Sequence, residues 1–222
     1  MYYVESGCQD IHQTDMSSEN PRARRVYRKR RRAQQEAETR LAITEAAVKL
    51  HGTVGPARTT ITSIAAEAGI QRATVYRHFP DLDSLFMSCS AHWASLNPLP
   101  APAEYNRIPD PETRLRQALT ELYTWYVWAE PMLTNVLRDA PLVPASGRAG
   151  ENFQRHFQAL HTVLMRGRRS RGRARVRTAA AIRHALDFAT WRSLTRQQGL
   201  DPDEAVELMI ALVAAAAGRP RP

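Results

Sequence analysis

The sequence predicts an all-α protein of about nine helices, because apolar residues recur at three- and four-residue spacing in one segment after another. Glycines and prolines, 10 and 14 of the 222 residues, stand between many of these segments, where helices commonly end. The stretch 60–79 adds a third observation, since it reads as two short helices joined by a tight turn. At 222 residues the chain is long enough to bury a core and to form one or two such helical domains.

The stretch 60–79 has the pattern of a helix-turn-helix. The apolar face of its first helix comprises Ile64, Ala65 and Ala68. Gly69 stands where a chain leaving a helix often takes a left-handed conformation. The second helix is predicted over 71–78, with Val75 and Phe79 facing inward. Two short helices that cross steeply through such a turn place the second one in the major groove of DNA.

The same stretch resembles the DNA-binding domain of the tetracycline-repressor (TetR) family. The resemblance is carried by Thr60, Ile64-Ala65, Ala68-Gly69-Ile70, Thr74-Val75-Tyr76, His78-Phe79 and Leu85-Phe86. It implies a helix-turn-helix domain over 35–96 and a ligand-binding and dimerisation domain over 97–222. The implied function is a transcriptional regulator, most often a repressor, that binds a palindromic operator in double-stranded DNA as a homodimer and is released by a small-molecule effector.

The DNA contacts implied by the resemblance lie in and before the second helix. They are Thr60, Gln71, Arg72, Thr74, Tyr76, Arg77 and His78. Arg72 is the expected base contact, because arginine with guanine is the commonest specific pairing, whereas Tyr76 and His78 are expected to hold phosphates. Gln71 replaces the serine common in the family, which caps a helix better, but glutamine can instead pair with adenine.

A basic arm precedes this domain. Residues 1–34 are predicted to be disordered, and 22–32 contains eight basic residues in eleven, a block of like charge that repels itself. Arg28, Arg30 and Arg31 are candidate contacts to phosphates or the minor groove. The alternative is a solvated basic tail that adds only general affinity.

The remaining helices of the first domain follow from spacing and end signals. A helix is predicted over 36–51, and another over 81–96 in which Cys89 is a small buried apolar group. Thr60 is the expected N-cap of the helix between them. Ser63 occupies the N3 position, where glutamate would complete a capping box, so the cap is predicted to be incomplete.

The second domain is predicted to begin with a proline-rich connector over 97–111. Helices are predicted over 112–130, 131–138, 150–166, 177–198 and 202–217, with a flexible loop of seven arginines in twelve residues over 166–177. That loop is either a solvated loop or a second nucleic-acid site. The span 184–213 resembles the last two helices of TetR-type regulatory domains, which implies a homodimer through those helices.

Aromatic residues mark a candidate effector pocket in this domain. The candidates are Trp125, Tyr126, Trp128, Phe153, Phe157, His161, Phe188 and Trp191. Aromatics at helical spacing are also common in ordinary cores. A further alternative is a regulator whose C-terminal domain binds a protein in place of a small molecule.

Composition and motifs limit the class of protein. The net charge of +9 favours a polyanionic partner. Nucleophile, phosphate-loop and zinc-hydrolase motifs are absent, and the two cysteines form no metal-ligand pattern, so neither an enzyme, a cofactor nor a metal is expected. No signal peptide or membrane-spanning stretch is found, which favours a cytoplasmic, nucleoid-associated protein without a membrane partner. The alternative function is nonspecific or architectural DNA binding driven by the arginine-rich segments.

Overall fold

The structure is a computed structural model that describes residues 21–144 and 146–218. Within these ranges it has ten α-helices and no β-strand, so the predicted all-α fold class is confirmed. Backbone contacts divide the chain into one compact unit that ends at Leu41 and a second that begins at Ala42. The predicted disorder of residues 1–20 lies outside the described residues.

Helix α1 runs from Pro21 to Thr53, so the basic stretch 22–32 is helical and not unfolded as predicted. This stretch contains no glycine or proline, and its arginines and alanine favour the helical state. Arg32 also lies one turn before Glu36, with its Nε atom 3.2 Å from a carboxylate oxygen. Helix preference and such pairs offset the repulsion among like charges.

Residues 42–96, which we call the head, contain the rest of α1 and three further helices. These are α2 (Ile61–Glu67), α3 (Arg72–His78) and α4 (Leu82–Leu96), with a 3₁₀ turn at Pro56–Arg58. Their buried apolar core comprises Ile43, Ala46, Ala47, Ile64, Ala65, Val75, Phe79, Leu85 and Cys89. Burial of one face of each short helix stabilises the head, since helices of seven residues are not stable alone.

Residues 97–218, the C-terminal domain, contain six helices around a second core. They are α5 (Pro102–Tyr105), α6 (Pro111–Asp139), α7 (Ser146–Met165), α8 (Gly172–Ala185), α9 (Phe188–Arg192) and α10 (Pro202–Ala217). A 3₁₀ turn follows α6 at Ala140–Leu142, and a π turn at Ser193–Gln197 extends α9. The largest fully buried side chains of this core are Tyr105, Leu115, Leu119, Leu122, Tyr123, Tyr126, Leu160, Leu164, Ile182 and Trp191.

Helix α6 passes through Pro131, where the sequence predicts a break. Proline within a helix removes one backbone hydrogen bond and costs about 3 kcal/mol. The buried stripe of α6 nevertheless continues on both sides of the proline, through Ala129 and Leu133. Burial of this stripe and the contacts of the last turn with the head, described below, offset that cost.

The predicted helix over 177–198 is interrupted at Leu186 and Asp187. Asp187 caps α9, since its carboxylate accepts the Ala189 N–H at 2.7 Å. Two buried tyrosines of α6 stabilise the interruption: Tyr123 donates its hydroxyl to the Ala185 carbonyl at 3.0 Å, and Tyr126 does so to the Leu186 carbonyl at 2.6 Å. These contacts from another helix satisfy the carbonyls that a helix break exposes.

Two predicted irregular segments contain helix. The connector 97–111 includes α5, whose Tyr105 is buried and donates its hydroxyl to the Glu121 carboxylate at 2.6 Å. The arginine-rich stretch 166–177 is helical from Gly172 onward, where α8 begins. In the part of the chain that the structure describes, every helix is too short or too polar to cross a bilayer.

Candidate nucleic-acid interface and cavity

The turn between α2 and α3 is a Schellman motif. Gly69 has φ of +65°, and its N–H donates to the Ala66 carbonyl at 3.2 Å. The Ile70 N–H donates to the Ala65 carbonyl at 2.9 Å. Only glycine takes this φ at little cost, so the motif fixes the direction in which the chain leaves α2 and hence the orientation of α3.

Thr60 and Ser63 form a complete capping box at the start of α2. The Ser63 N–H donates to Thr60 Oγ1 at 3.0 Å, and the Thr60 N–H donates to Ser63 Oγ at 2.9 Å. The predicted incomplete cap is therefore wrong, because a serine hydroxyl takes the role usually filled by glutamate. Thr60 is exposed, but its hydroxyl oxygen already accepts within the cap.

Helix α3 presents one polar, exposed surface and buries the other. The exposed residues are Gln71, Arg72, Ala73, Tyr76 and Arg77, while Thr74 and His78 are half-buried. Val75 and Phe79 are buried in the head core, as predicted. Gln71 precedes the helix without a side-chain cap bond, so its amide remains free to contact another molecule.

Arg72 and Arg77 give the exposed surface of α3 its positive charge. Among the described residues, neither side chain has an ion pair or a hydrogen bond. An exposed guanidinium without a carboxylate partner keeps all five of its N–H donors for an incoming phosphate or base edge. The surface therefore has the chemistry required to contact DNA.

Burial holds α3 in the head, and an ion pair joins α1 to α2. Lys49 of α1 contacts Glu67 of α2 with an Nζ–Oε1 distance of 2.5 Å. Arg28, Arg30 and Arg31 lie in the first unit of the chain, on the exposed surface of α1.

A buried histidine and cysteine lie in the head between α1 and α4. The Cys89 Sγ atom is 3.6 Å from His51 Nδ1. Burial lowers the pKa of His51 to about 4, against an opposing effect of the Asp139 carboxylate, and burial raises the pKa of Cys89 to about 12. Both groups are therefore neutral near pH 7, and Cys89 behaves as the predicted small buried group.

The C-terminal end of α6 contacts the last turn of α1 and the segment that follows it. The Asn135 amide donates to the Gly52 carbonyl at 2.8 Å. The Ala57 N–H donates to the Asp139 carboxylate at 3.0 Å, and the hydrogen bonds of that carboxylate to Arg138 lower the pKa of Asp139. Asp139 thus stays charged and bound to the head segment.

The sequence pattern does not predict these contacts, because the residues that form them lie about eighty positions apart. They also lie in a part of α6 that follows Pro131, where the pattern predicts a separate short helix. The structural consequence is that α6 connects the interior of the C-terminal domain directly to the head.

A cavity of about 410 Å³ opens in the C-terminal domain between α6, α7 and the α8–α9 break. Its lining residues are Tyr126, Leu137, Phe153, Gln154, Phe157, Gln158, His161, Arg183, Leu186, Asp187 and Phe188. Five of the eight aromatic or histidine candidates from the sequence line it: Tyr126, Phe153, Phe157, His161 and Phe188. The polar lining residues Gln154, Gln158, Arg183 and Asp187 were missed, because the prediction was drawn from aromatic residues and one histidine.

The three tryptophan candidates lie elsewhere. Trp125 packs edge-on against Trp93 with ring centroids 5.8 Å apart, and Trp128 is exposed. Trp191 is fully buried and stacks on Phe188 at 5.4 Å. Trp191 therefore supports the wall of the cavity without lining it.

Comparison with protein families matches residues 43–89 to the family described as bacterial regulatory proteins, tetR family. A search of curated proteins finds no significant match to the chain. The matched residues coincide with the head, from the core residues of α1 to Cys89 in α4.

Solved structures share the fold over most of the chain. A TetR-like transcriptional regulator from Rhodococcus has 20% sequence identity and a TM-score of 0.60, covering 82% of this chain and 97% of the other. NalD of Pseudomonas aeruginosa, the secondary repressor of a multidrug efflux pump, has 21% identity and a TM-score of 0.53, covering 82% and 97%. PfmR, a TetR-family regulator from Thermus thermophilus, has 21% identity and a TM-score of 0.52, covering 79% and 96%. At these identities the likeness concerns the fold.

Proposed function

We propose that the chain represses transcription by binding a specific operator as a homodimer and that a small molecule in its cavity releases it, because residues 43–89 match the family described as bacterial regulatory proteins, tetR family. The observation that supports DNA recognition most directly is the pair of unpartnered arginines on the exposed surface of α3. A protein with this role acts at the bacterial chromosome.

Operator recognition is assigned to α3 in the major groove. Arg72 near the start of the helix would donate in bidentate fashion to guanine, and Gln71 would reach an adjacent adenine. Tyr76 and His78 would hold phosphates, and Thr74 would contact a phosphate or a thymine methyl. Thr60 contributes by fixing the start of α2, and any DNA contact by its hydroxyl shares that oxygen with the cap.

Dimerisation is assigned to α8 and α10, which pack on each other and leave apolar side chains uncovered. Val176, Leu208 and Leu212 are 71%, 39% and 47% exposed. Exposed apolar residues on two neighbouring helices mark an interaction surface, and a second copy of these helices would cover them. A twofold dimer would present two α3 helices to successive major grooves, about 34–36 Å apart.

Release by an effector is assigned to α6, which lines the cavity and contacts the head. Tyr126 and Leu137 belong to the cavity wall, whereas Asn135 holds the last turn of α1 and Asp139 holds the segment after it. A ligand that moves α6 would therefore alter the position of the head. It shifts the DNA-binding equilibrium only by its different affinities for the two positions.

Arg28, Arg30 and Arg31 are assigned to phosphates, where they would strengthen binding without selecting a sequence. The alternative function, nonspecific DNA coating, uses the same arginines and predicts binding that ignores sequence.

Selection from a random duplex library at physiological salt distinguishes these functions. The purified full-length protein is expected to recover a palindrome that it prefers over random duplex by roughly a thousandfold. Recovery of no preferred sequence, both before and after refolding to remove a carried-over ligand, would refute the proposed function in favour of nonspecific binding. Light scattering of the same sample would establish whether the protein is a dimer.

A further inference from the structure

We infer that the cavity takes a small aromatic carboxylate, with its ring among the aromatic side chains and its carboxylate on Arg183. The inference rests on the proposed function only in treating this ligand as the effector. Ligand binding itself is a separate property of the C-terminal domain.

The volume and walls of the cavity suit an aromatic ring. A volume of about 410 Å³ lies within the roughly 300–1,000 Å³ usual for small-molecule sites. Phe153 and Phe157 lie 4.7 Å apart between ring centroids, and Tyr126 and Phe188 form an edge-on pair at 5.3 Å. The Tyr126 hydroxyl is already bonded to the Leu186 carbonyl, so this residue offers its ring to a ligand and not its hydroxyl.

Two of the titratable groups at the cavity already have partners. The Asp187 carboxylate accepts the Ala189 N–H at 2.7 Å and thereby caps α9. His161 Nε2 lies 3.1 Å from the Ala179 carbonyl, so this nitrogen carries the proton and donates. Burial lowers the pKa of His161, which keeps the ring neutral near pH 7.

Arg183 is the group left without a partner. Among the described residues its guanidinium has no hydrogen bond or ion pair, although it lines the cavity. A planar fork of N–H donors pairs with a carboxylate through two parallel hydrogen bonds. Gln154 and Gln158 add neutral amides beside it. Asp187 keeps its negative charge but is engaged at the cap of α9, whereas the exposed Arg183 guanidinium has all its donors available. Arg183 therefore gives an aromatic acid a charged partner that a neutral aromatic compound cannot use.

Calorimetric titration of the full-length protein, without DNA, tests this inference with naphthoate and its neutral isostere naphthamide. The wild type is expected to bind naphthoate about tenfold more tightly or better, as a hydrogen-bonded charge implies. Arg183→Gln is expected to remove that preference and to leave naphthamide affinity unchanged. Arg175→Gln, an exposed arginine of α8 outside the cavity, is the matched control and should keep the preference.

Three outcomes would overturn the inference: equal affinity of the wild type for both compounds, no binding of either one, or a preference that survives in Arg183→Gln. The circular dichroism spectrum and melting temperature of each variant check that it folds like the wild type. Because operator selection uses protein without ligand and this titration uses protein without DNA, either proposal can fail while the other stands.

Discussion

Helix α3 carries arginines, and so does the junction at which the start of α6 packs against the end of α7. The side chains at these two places have different surroundings. On α3, Arg72 and Arg77 are exposed and have no partner among the described residues. At the junction, Arg114 is only 5% exposed and donates to four backbone carbonyls at 2.8–3.0 Å. Arg168 is similarly bound to the carbonyls of Leu164 and Pro111.

The comparison separates an arginine that stabilises the fold from one that is free to bind. Arg114 uses its donors on the carbonyls of Ile108, Pro109, Val163 and Arg166, which lie before α6 and at the end of α7. It therefore takes the place of water at the end of α7 and in the segment before α6, although the Val163 carbonyl also accepts the Arg166 N–H at 3.2 Å. The charge of an arginine-rich chain is thus a poor guide to DNA contacts unless burial and bonding are known.

Replacement of Arg114 should have the largest effect on stability. Arg114→Met keeps an apolar stem but removes the buried guanidinium from four carbonyls, of which Val163 alone keeps a backbone donor, so it should lower the free energy of unfolding by about 3–4 kcal/mol. Urea unfolding measures this change. Arg116→Met, on the same helix but exposed and paired with Glu207, is the control and should cost less than about 1 kcal/mol. Similar losses in the two variants would contradict the stabilising role of Arg114.

His51 is a third kind of basic residue, because its burial keeps the side chain uncharged near pH 7. Its pKa is about 4 in the folded head, whereas an ordinary histidine has a pKa of 6.5, so the unfolded chain binds the proton more readily. Stability from this group is complete above about pH 6.5 and is lost as the pH falls towards 4, by about 3 kcal/mol in total.

Urea unfolding of the wild type and His51→Gln at several pH values measures this contribution. The stability advantage of the wild type should shrink by about 3 kcal/mol between pH 7 and pH 4, because glutamine does not titrate. Subtraction removes the contributions of the other histidines. If the difference in free energy of unfolding between the two proteins stayed constant from pH 7 to pH 4, His51 would have an ordinary pKa in the folded protein.

The head was largely predictable because its constraints are local. The pattern of 60–79 predicts both helices, the left-handed Gly69 and the burial of Val75 and Phe79, and all of these depend on neighbours in sequence. The capping box was missed because the usual sequence pattern has glutamate at the N3 position, whereas here the Ser63 hydroxyl accepts the Thr60 N–H.

The C-terminal domain was less predictable because distant residues determine its details. Tyr123 and Tyr126 stabilise the break after Ala185 from sixty or more residues away, and Leu186 and Asp187 at that break line the cavity. Helical spacing identifies aromatic faces, but it cannot tell that Trp191 is buried in the domain and Trp125 packs against Trp93 of α4, while Phe157 lines the cavity. Similarly, it cannot anticipate that α6 continues past Pro131 to reach the head.

Replacement of Arg72 should weaken recognition without affecting stability. Arg72→Ala should cost about 1–3 kcal/mol of operator binding and relax specificity at one base pair per half-site, since the arginine is exposed and unpartnered in the free protein. Arg72→Lys separates the two roles, because lysine keeps a phosphate contact but loses the bidentate fork. Gel-shift titrations against single-base operator variants measure both effects. Uniform weakening on all sequences would make Arg72 a phosphate contact.

The ion pair between Lys49 and Glu67 should give the smallest effect, although it joins α1 to the helix that positions α3. The Lys49 side chain is 63% exposed and that of Glu67 is 32% exposed, so solvent screens the pair. A double-mutant cycle with Lys49→Met and Glu67→Gln should give a coupling of about 0.5 kcal/mol at low salt that declines at high salt. A coupling above about 2 kcal/mol that resists salt would instead place this pair with Arg114, as a charged contact on which the fold depends.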